Sequence, residues 1–241
     1  MNYLIFLLLF IIALIGAFLP FYFKKINENA LNWILAFSGS FLLGISLIHL
    51  LPESFHELGE KTGIFIFLGF FIQLFIQRFS HGIEHGHFHH HEGKNIPILP
   101  IVFGLSIHAF IEGIPLGFLY QNTQTLWTVF WGIAAHKLPE AITIGILLMM
   151  SVNTNKYIYL FIFALATPIS GLLASYYGPK FDSISTVIIY IIPVVIGAFI
   201  HISTTVLIES GTKHHQLSIT KSLAIILGAG CALLSLLFHM H

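Results

Sequence analysis

Two short segments of the chain repeat one pattern of residues that can bind a metal ion. They run from His108 to Gly117 and from His136 to Gly145, and both follow H-x-x-x-E-small-I-x-x-G. Residues four apart lie on one face of a helix, so each helix presents a His beside a Glu. Imidazole with carboxylate suits zinc, iron and similar first-row ions, whereas calcium and magnesium prefer oxygen ligands. The pattern therefore predicts a transition-metal site between two helices.

The apolar surroundings of these four side chains strengthen that interpretation. Both segments lie in long apolar stretches, where an ionised side chain costs at least about 2.5–3.5 kcal/mol. Two glutamates on neighbouring helices would also repel each other, and one divalent cation relieves both costs. The alternative is a set of polar groups bonded to neighbouring helices without a metal. That alternative explains a lone His or Glu better than it explains a repeated pair.

Each segment also contains a proline, Pro115 or Pro139. A proline removes a backbone donor and leaves the carbonyl four residues back unpaired, here that of Ile111 or Ala135. Transporters use interrupted helices at binding sites in the membrane. A simple packing kink explains each proline equally well.

The composition excludes a soluble protein. Hydrophobic residues make up 56% of the 241 residues and charged residues only 8%, against about 25% charged in a soluble domain. Ten basic residues balance ten acidic ones without a basic stripe, so nucleic acid is not an expected partner. A single cysteine, Cys231, excludes a disulfide framework, and fifteen histidines stand out. We expect a membrane protein that handles protons or metal ions.

The apolar runs predict an all-α integral membrane protein with eight transmembrane helices in one domain, 1–241. The runs are continuous rather than alternating, as expected for helices of about 20 residues. The first lacks a preceding basic residue and is expected to be a retained span, not a signal peptide. In chain order, spans 1 to 8 are predicted at 2–23, 30–52, 63–80, 97–120, 125–150, 157–178, 184–208 and 218–240.

The basic residues in and beside the loops predict the orientation. Seven lie in or next to the loops that follow odd-numbered spans: Lys24, Lys25, Arg78, Lys94, Lys156, Lys213 and Lys221. Lys61 and Lys180 lie on the other side, and Lys137 lies within span 5. Cytoplasmic loops carry the excess of Lys and Arg. We therefore expect both termini outside the cell membrane and the 81–95 loop in the cytoplasm.

The two segments on spans 4 and 5 resemble the signature of the ZIP (Zrt/Irt-like) metal-transporter family. The His-rich loop and the outward termini agree with it, and the resemblance is strongest over residues 40–150. It implies a 3+2+3 arrangement, in which spans 1–3 and 6–8 form an inverted repeat around the central pair. It also implies uptake of zinc or ferrous iron into the cytoplasm. By the same resemblance the transport-site ligands are His108, Glu112, His136 and Glu140.

Two positions depart from the fuller family pattern. Ala109 follows the first His, where many members have Asn or another polar residue, and Lys137 follows the second, where many have an acidic residue. Both changes remove ligands from a second ion position. We interpret the site as one for a single metal ion, with the Lys137 ammonium replacing a second cation.

Other histidines and acidic residues are candidates with weaker support. His49 is expected to complete the ion's coordination, and Glu53 at the end of span 2 to attract cations. The segment Gly197–His201 faintly resembles the segment Gly44–His49. A packing role explains His201 better than a ligand role does. The composition of the His-rich loop at 81–95 predicts that it binds metal ions. The alternative is that the loop is a flexible tether without a role in transport. Its candidate ligands are His81, His85, His87, His89, His90 and His91.

The leading hypothesis is an importer of divalent transition metals that is not an enzyme and has no bound cofactor. The ion would be released when one repeat unit rocks against spans 4 and 5. No Walker A pattern is present, so ATP hydrolysis is not expected. The alternative is an intramembrane zinc-dependent hydrolase, which the absence of an HExxH pattern disfavours. The sequence leaves open whether the chain acts alone or as a homodimer.

Overall fold

Eight helices that are long and apolar enough to cross a membrane make up the structure. The computed structural model describes residues 3–23, 28–80, 98–118, 123–150, 155–180, 182–209 and 218–237, and these residues contain no strand. The all-α class and the number of spans are therefore confirmed. Spans 1 to 8 are Tyr3–Tyr22; Glu28–Ile45 continued through a π-helical turn, Ser46–Leu50, into Leu51–Leu58; Lys61–Ser80; Ile98–Phe118; Thr123–Met150; Lys156–Tyr177; Asp182–Glu209; and Ile219–Leu237.

Span 2 is longer than the sequence predicts, because Pro52 does not end it. Proline is tolerated in the first turn of a helix, where its missing N–H would have no partner, and Pro52 lies in the first turn of Leu51–Leu58. The preceding π-helical turn makes this new start available. The helix ends at Gly59, whose φ of +56° lies in the left-handed region that glycine adopts without strain. Spans 4 and 5 likewise continue as helix through Pro115 and Pro139.

The spans pack in two groups of four. Span 1 packs on spans 5 and 6, and span 4 packs on span 6; span 3 packs on span 7, and span 2 packs on spans 7 and 8. The two groups meet mainly where span 2 contacts span 5 and span 3 contacts span 4. Exchanging spans 1–3 with 6–8, and 4 with 5, converts the main helix pairs into one another. This is the pairing that a 3+2+3 repeat produces.

Small residues allow the closest helix pairs within the group of spans 1, 4, 5 and 6. A Cβ added to Gly113 would collide with the carbonyl of Thr167 and the hydroxyl of Ser170 on span 6. A Cβ added to Gly145 would collide with the carbonyl of Ala17 on span 1. Small residues let helices in membranes approach until their backbones touch. The small half of the repeated pattern therefore holds spans 4 and 5 against their neighbours.

Spans 3 and 8 lie at the outside of the helical assembly. Each buries less of its surface than the other six spans. Span 3 exposes Phe67 and Phe75, and span 8 exposes Leu233 and Leu234. Exposed apolar side chains on a membrane-spanning helix are expected to contact lipid tails.

Candidate metal site

The four side chains of the repeated pattern converge between spans 4 and 5. His108 and Glu112 lie one turn apart on span 4, and His136 and Glu140 lie one turn apart on span 5. One ligand atom from each of the four lies within 4.8 Å of the others. All four residues are buried. The helical repeat seen in the sequence thus becomes a single cluster of two imidazoles and two carboxylates.

The distances within the cluster suit one small metal ion. His108 Nε2 lies 2.8 Å from Glu112 Oε1 and 3.8 Å from Glu140 Oε1, and His136 Nε2 lies 3.9 Å from Glu112 Oε1. Ligand atoms at zinc distances in a tetrahedron are separated by roughly 3.3–3.6 Å. The observed separations bracket that range. Small side-chain movements would bring all four atoms to bonding distance of one ion.

Lys137 occupies the opposite side of the two carboxylates. Its Nζ lies 2.5 Å from Glu112 Oε2 and 2.8 Å from Glu140 Oε2. Each carboxylate therefore gives one oxygen to the ammonium and turns the other toward the imidazoles. If both carboxylates are ionised and both imidazoles are neutral, the single ammonium leaves the empty cluster with a net charge of −1. In that protonation state the cluster would attract a cation.

Several polar atoms of the cluster have no hydrogen-bond partner among the described residues. They include both ring nitrogens of His136 and Oε1 of Glu140. A buried polar atom without a partner costs about 1–3 kcal/mol, and native proteins contain few of them. Their concentration at one point, with nitrogen and oxygen lone pairs facing each other, fits a metal-binding position.

Apolar side chains close the cluster at both ends of the central helices. Leu116 follows Glu112 on span 4, and Phe130 precedes His136 on span 5. Both belong to a core cluster that also includes Phe199 of span 7. Toward the other end, a second core cluster fills the space between spans 4, 5 and 6. His108 is 2% exposed, and Glu112, His136 and Glu140 are 0% exposed. The four side chains are therefore shielded from solvent in this structure.

A family model described as "ZIP Zinc transporter" matches residues 1–99 and 93–237. The chain belongs to the ZIP zinc transporter family. Membership makes this ZIP protein a multi-pass membrane protein that moves divalent metal ions. It also makes the protein a transporter rather than an enzyme, which removes the hydrolase alternative. A search of curated proteins found no match.

His49 lies outside the four-residue cluster of this ZIP protein. It is buried in the π-helical turn Ser46–Leu50, and its Nε2 lies 2.7 Å from Ser235 Oγ on span 8. Glu53 lies one turn further along span 2 and is half-buried. His56 and Glu57, at the end of the same span, are exposed. The structure thus places His49 in a contact between two helices, on the side of span 2 that leads to Glu53.

His201 makes the corresponding contact in the other half of the repeat. Its Nε2 lies 2.7 Å from Gln77 Oε1 on span 3, and its ring packs edge-on against Phe70. His49 joins span 2 to span 8, and His201 joins span 7 to span 3, which is the same pairing after exchange of the repeats. The faint sequence similarity between the two segments therefore corresponds to a shared position in the fold.

The structure adds partners that sequence reasoning did not identify. Gln77 and Ser235 are polar residues within apolar spans, and that contrast is a usable signal for interhelical hydrogen bonds. Phe163, whose ring lies 4.9 Å from Lys137 Nζ, gave no signal because it is one apolar residue among many. The predicted loop ligands His81, His85, His87, His89, His90 and His91 lie outside the described residues.

Proposed function

We propose that this ZIP protein carries zinc across the cell membrane into the cytoplasm, and that His108, Glu112, His136 and Glu140 hold the ion in transit. The observation that carries the proposal is the convergence of four buried ligand atoms within 4.8 Å of one another. Two imidazoles and two carboxylates complete a tetrahedral zinc site. Ferrous iron accepts the same donors, and zinc is placed first because the matching family model describes zinc transporters.

The packing supports movement of a four-helix group. The cluster lies on spans 4 and 5, which small residues hold tightly against spans 6 and 1. A rocking of spans 1–3 or 6–8 against the central pair would break these contacts. We propose instead that spans 1, 4, 5 and 6 move together against spans 2, 3, 7 and 8, opening the buried site to each side in turn.

The direction of transport follows from the distribution of basic residues. With the termini outside, Glu53 and the exposed His56 lie at the outer mouth, where a carboxylate attracts divalent cations. The His-rich loop at 81–95 then lies on the cytoplasmic side and binds ions after release. His49 and His201 flank the route as interhelical contacts rather than as permanent ligands. The orientation rests on the excess of Lys and Arg in the loops after odd-numbered spans.

Zinc uptake into proteoliposomes tests the proposal. The purified protein is reconstituted with a zinc-sensitive dye inside the vesicles, and the initial rate is measured after external zinc is added. We expect Glu140→Gln to abolish uptake, because it removes a ligand charge from a buried site. Glu60→Gln is the matched control, since Glu60 is exposed in the turn between spans 2 and 3, and should transport normally. Normal uptake by folded Glu140→Gln protein would disprove the assigned site, and ferrous iron added as a competitor measures the preference between the two ions.

A further inference from the structure

An aromatic ring on span 6 faces the buried ammonium beside the metal site. Phe163 is fully buried, and Lys137 Nζ lies 4.9 Å from the centre of its ring. An ammonium within about 6 Å of an aromatic face is attracted by the ring's quadrupole, most strongly where water is excluded. The distance between Lys137 Nζ and the Phe163 ring is within that range, and both side chains are buried. The contact links span 6 to the site formed by spans 4 and 5.

The hydrogen bonds of Lys137 leave one direction for the ring. A lysine ammonium carries three N–H donors. Two point to carboxylates, at Glu112 Oε2 and Glu140 Oε2. Phe163 provides the remaining attractive surface in a region packed with apolar side chains. The ammonium is thus held between two oxygens and a ring.

The position of the ammonium decides which atoms remain for a metal ion. While Lys137 holds both Oε2 atoms, both Oε1 atoms face His108 and His136. Without the ring, the third N–H would lose its partner in an apolar environment. The same cluster offers other acceptors in the Oε1 atoms and the imidazole nitrogens, which are the proposed ligand atoms of the ion. An unrestrained ammonium would therefore compete with the metal directly.

We propose that Phe163 is a positioning residue, which keeps the ammonium of Lys137 on the Oε2 side of the paired carboxylates so that the Oε1 side stays open to the metal ion. The proposal rests on the assignment of His108, Glu112, His136 and Glu140 as the transport site. Phe163 acts only through Lys137 and does not contact the ion. Its effect must therefore vanish when the lysine charge is removed.

A double-mutant cycle measures this dependence by zinc titration of the purified protein. Phe163→Leu should weaken zinc binding on the order of tenfold, since a desolvated cation–ring contact is lost. Phe163→Tyr keeps the ring face and should bind like the wild type. In the Lys137→Met background, Phe163→Leu should change the zinc affinity by less than about twofold. A difference of that size is the usual deviation from additivity for mutations at independent sites.

A buried phenylalanine elsewhere provides the control. Phe199 lies on span 7 in a different core cluster and is 1% exposed, so Phe199→Leu should have the same effect with and without the lysine charge. Equal weakening by Phe163→Leu in both backgrounds would show that Phe163 only fills space and would overturn the proposal. If Phe163→Leu does not fold, Phe163→Met is used in the same cycle, because methionine fills irregular space. Failure of the wild type to bind or transport zinc would instead refute the proposed function, and the positioning role with it.

Discussion

At Lys137 an ammonium lies beside the two carboxylates of the proposed metal site. The ammonium contacts both glutamates and is 1% exposed, so solvent does not screen it. While the site is empty, the charge relieves the repulsion between Glu112 and Glu140. When a divalent ion is present, the same charge repels it. We therefore expect Lys137 to lower the affinity of the proposed site and to favour release, which a transported ion requires as much as binding.

Replacing Lys137 by Ala should tighten zinc binding and slow zinc release. The reason is that two carboxylates without an ammonium attract a divalent cation more strongly. Equilibrium titration of the purified variant, with stopped-flow measurement of release into a chelator, tests both effects. Weaker binding in a variant with an unchanged thermal transition would show that the ammonium positions a ligand. The interpretation that Lys137 replaces a second cation would then be wrong.

Spans 4 and 5 each use one repeated pattern for two purposes. The His and Glu positions point to the shared cluster, and the small positions contact a neighbouring helix. Gly113 meets span 6, and Gly145 meets span 1. The same short stretch therefore fixes both the ligand and the distance at which the helix is held. A change in the packing half should disturb the site without touching a ligand.

Gly113→Ala should lower the thermal midpoint of the protein in detergent and reduce zinc uptake. The new methyl group would overlap the carbonyl of Thr167, so span 6 must move away, and forced overpacking costs about 1–3 kcal/mol. Gly230→Ala on span 8 is the matched control, because a Cβ there meets open space. Its midpoint should be unchanged or slightly higher, since Ala favours helix over Gly. Equal midpoints for the two variants would contradict the close packing of spans 4 and 6.

The whole molecule is organised by exchange of its two halves. The helix pairs 1–5 and 6–4, and the pairs 3–7 and 8–2, are equivalent under that exchange. His49 and His201 occupy equivalent positions and bond to equivalent helices. In the proposed mechanism, such symmetry would let one arrangement of the four-helix groups open to one side and its counterpart open to the other.

The proposed orientation, with both termini outside, predicts which loops an impermeant reagent reaches. Single cysteines near either terminus or beside Lys61 should be labelled from outside intact cells, after the native Cys231 is replaced by Ser. A cysteine within 81–95 should be labelled only after the cells are opened. Labelling of the 81–95 loop in intact cells would reverse the orientation, and with it the direction of transport.

Much of the fold and the central site could be predicted from the sequence, because both depend on local patterns. Runs of apolar residues predict spans, and a spacing of four brings His108 beside Glu112 on any helix. The extension of span 2 beyond Pro52 was missed, because a π-helical turn restarts the helix there. The grouping of spans and the contact of Phe163 with Lys137 depend on which helices pack together. Side chains from distant helices determine that packing, and no spacing within one segment records it.

A charge of −1 on the empty cluster would couple ion transport to the membrane potential. In the proposed transport cycle, with neutral imidazoles, binding one divalent ion would change the charge of the cluster from −1 to +1. An inside-negative potential would then drive the loaded group inward and the empty group outward, by about 2.3 kcal/mol per charge per 100 mV over the full field. Without the lysine, the loaded group would be neutral and the potential would act only on the return of a group with charge −2. In the proposed cycle, Lys137 would thus divide the electrical driving force evenly between the two halves.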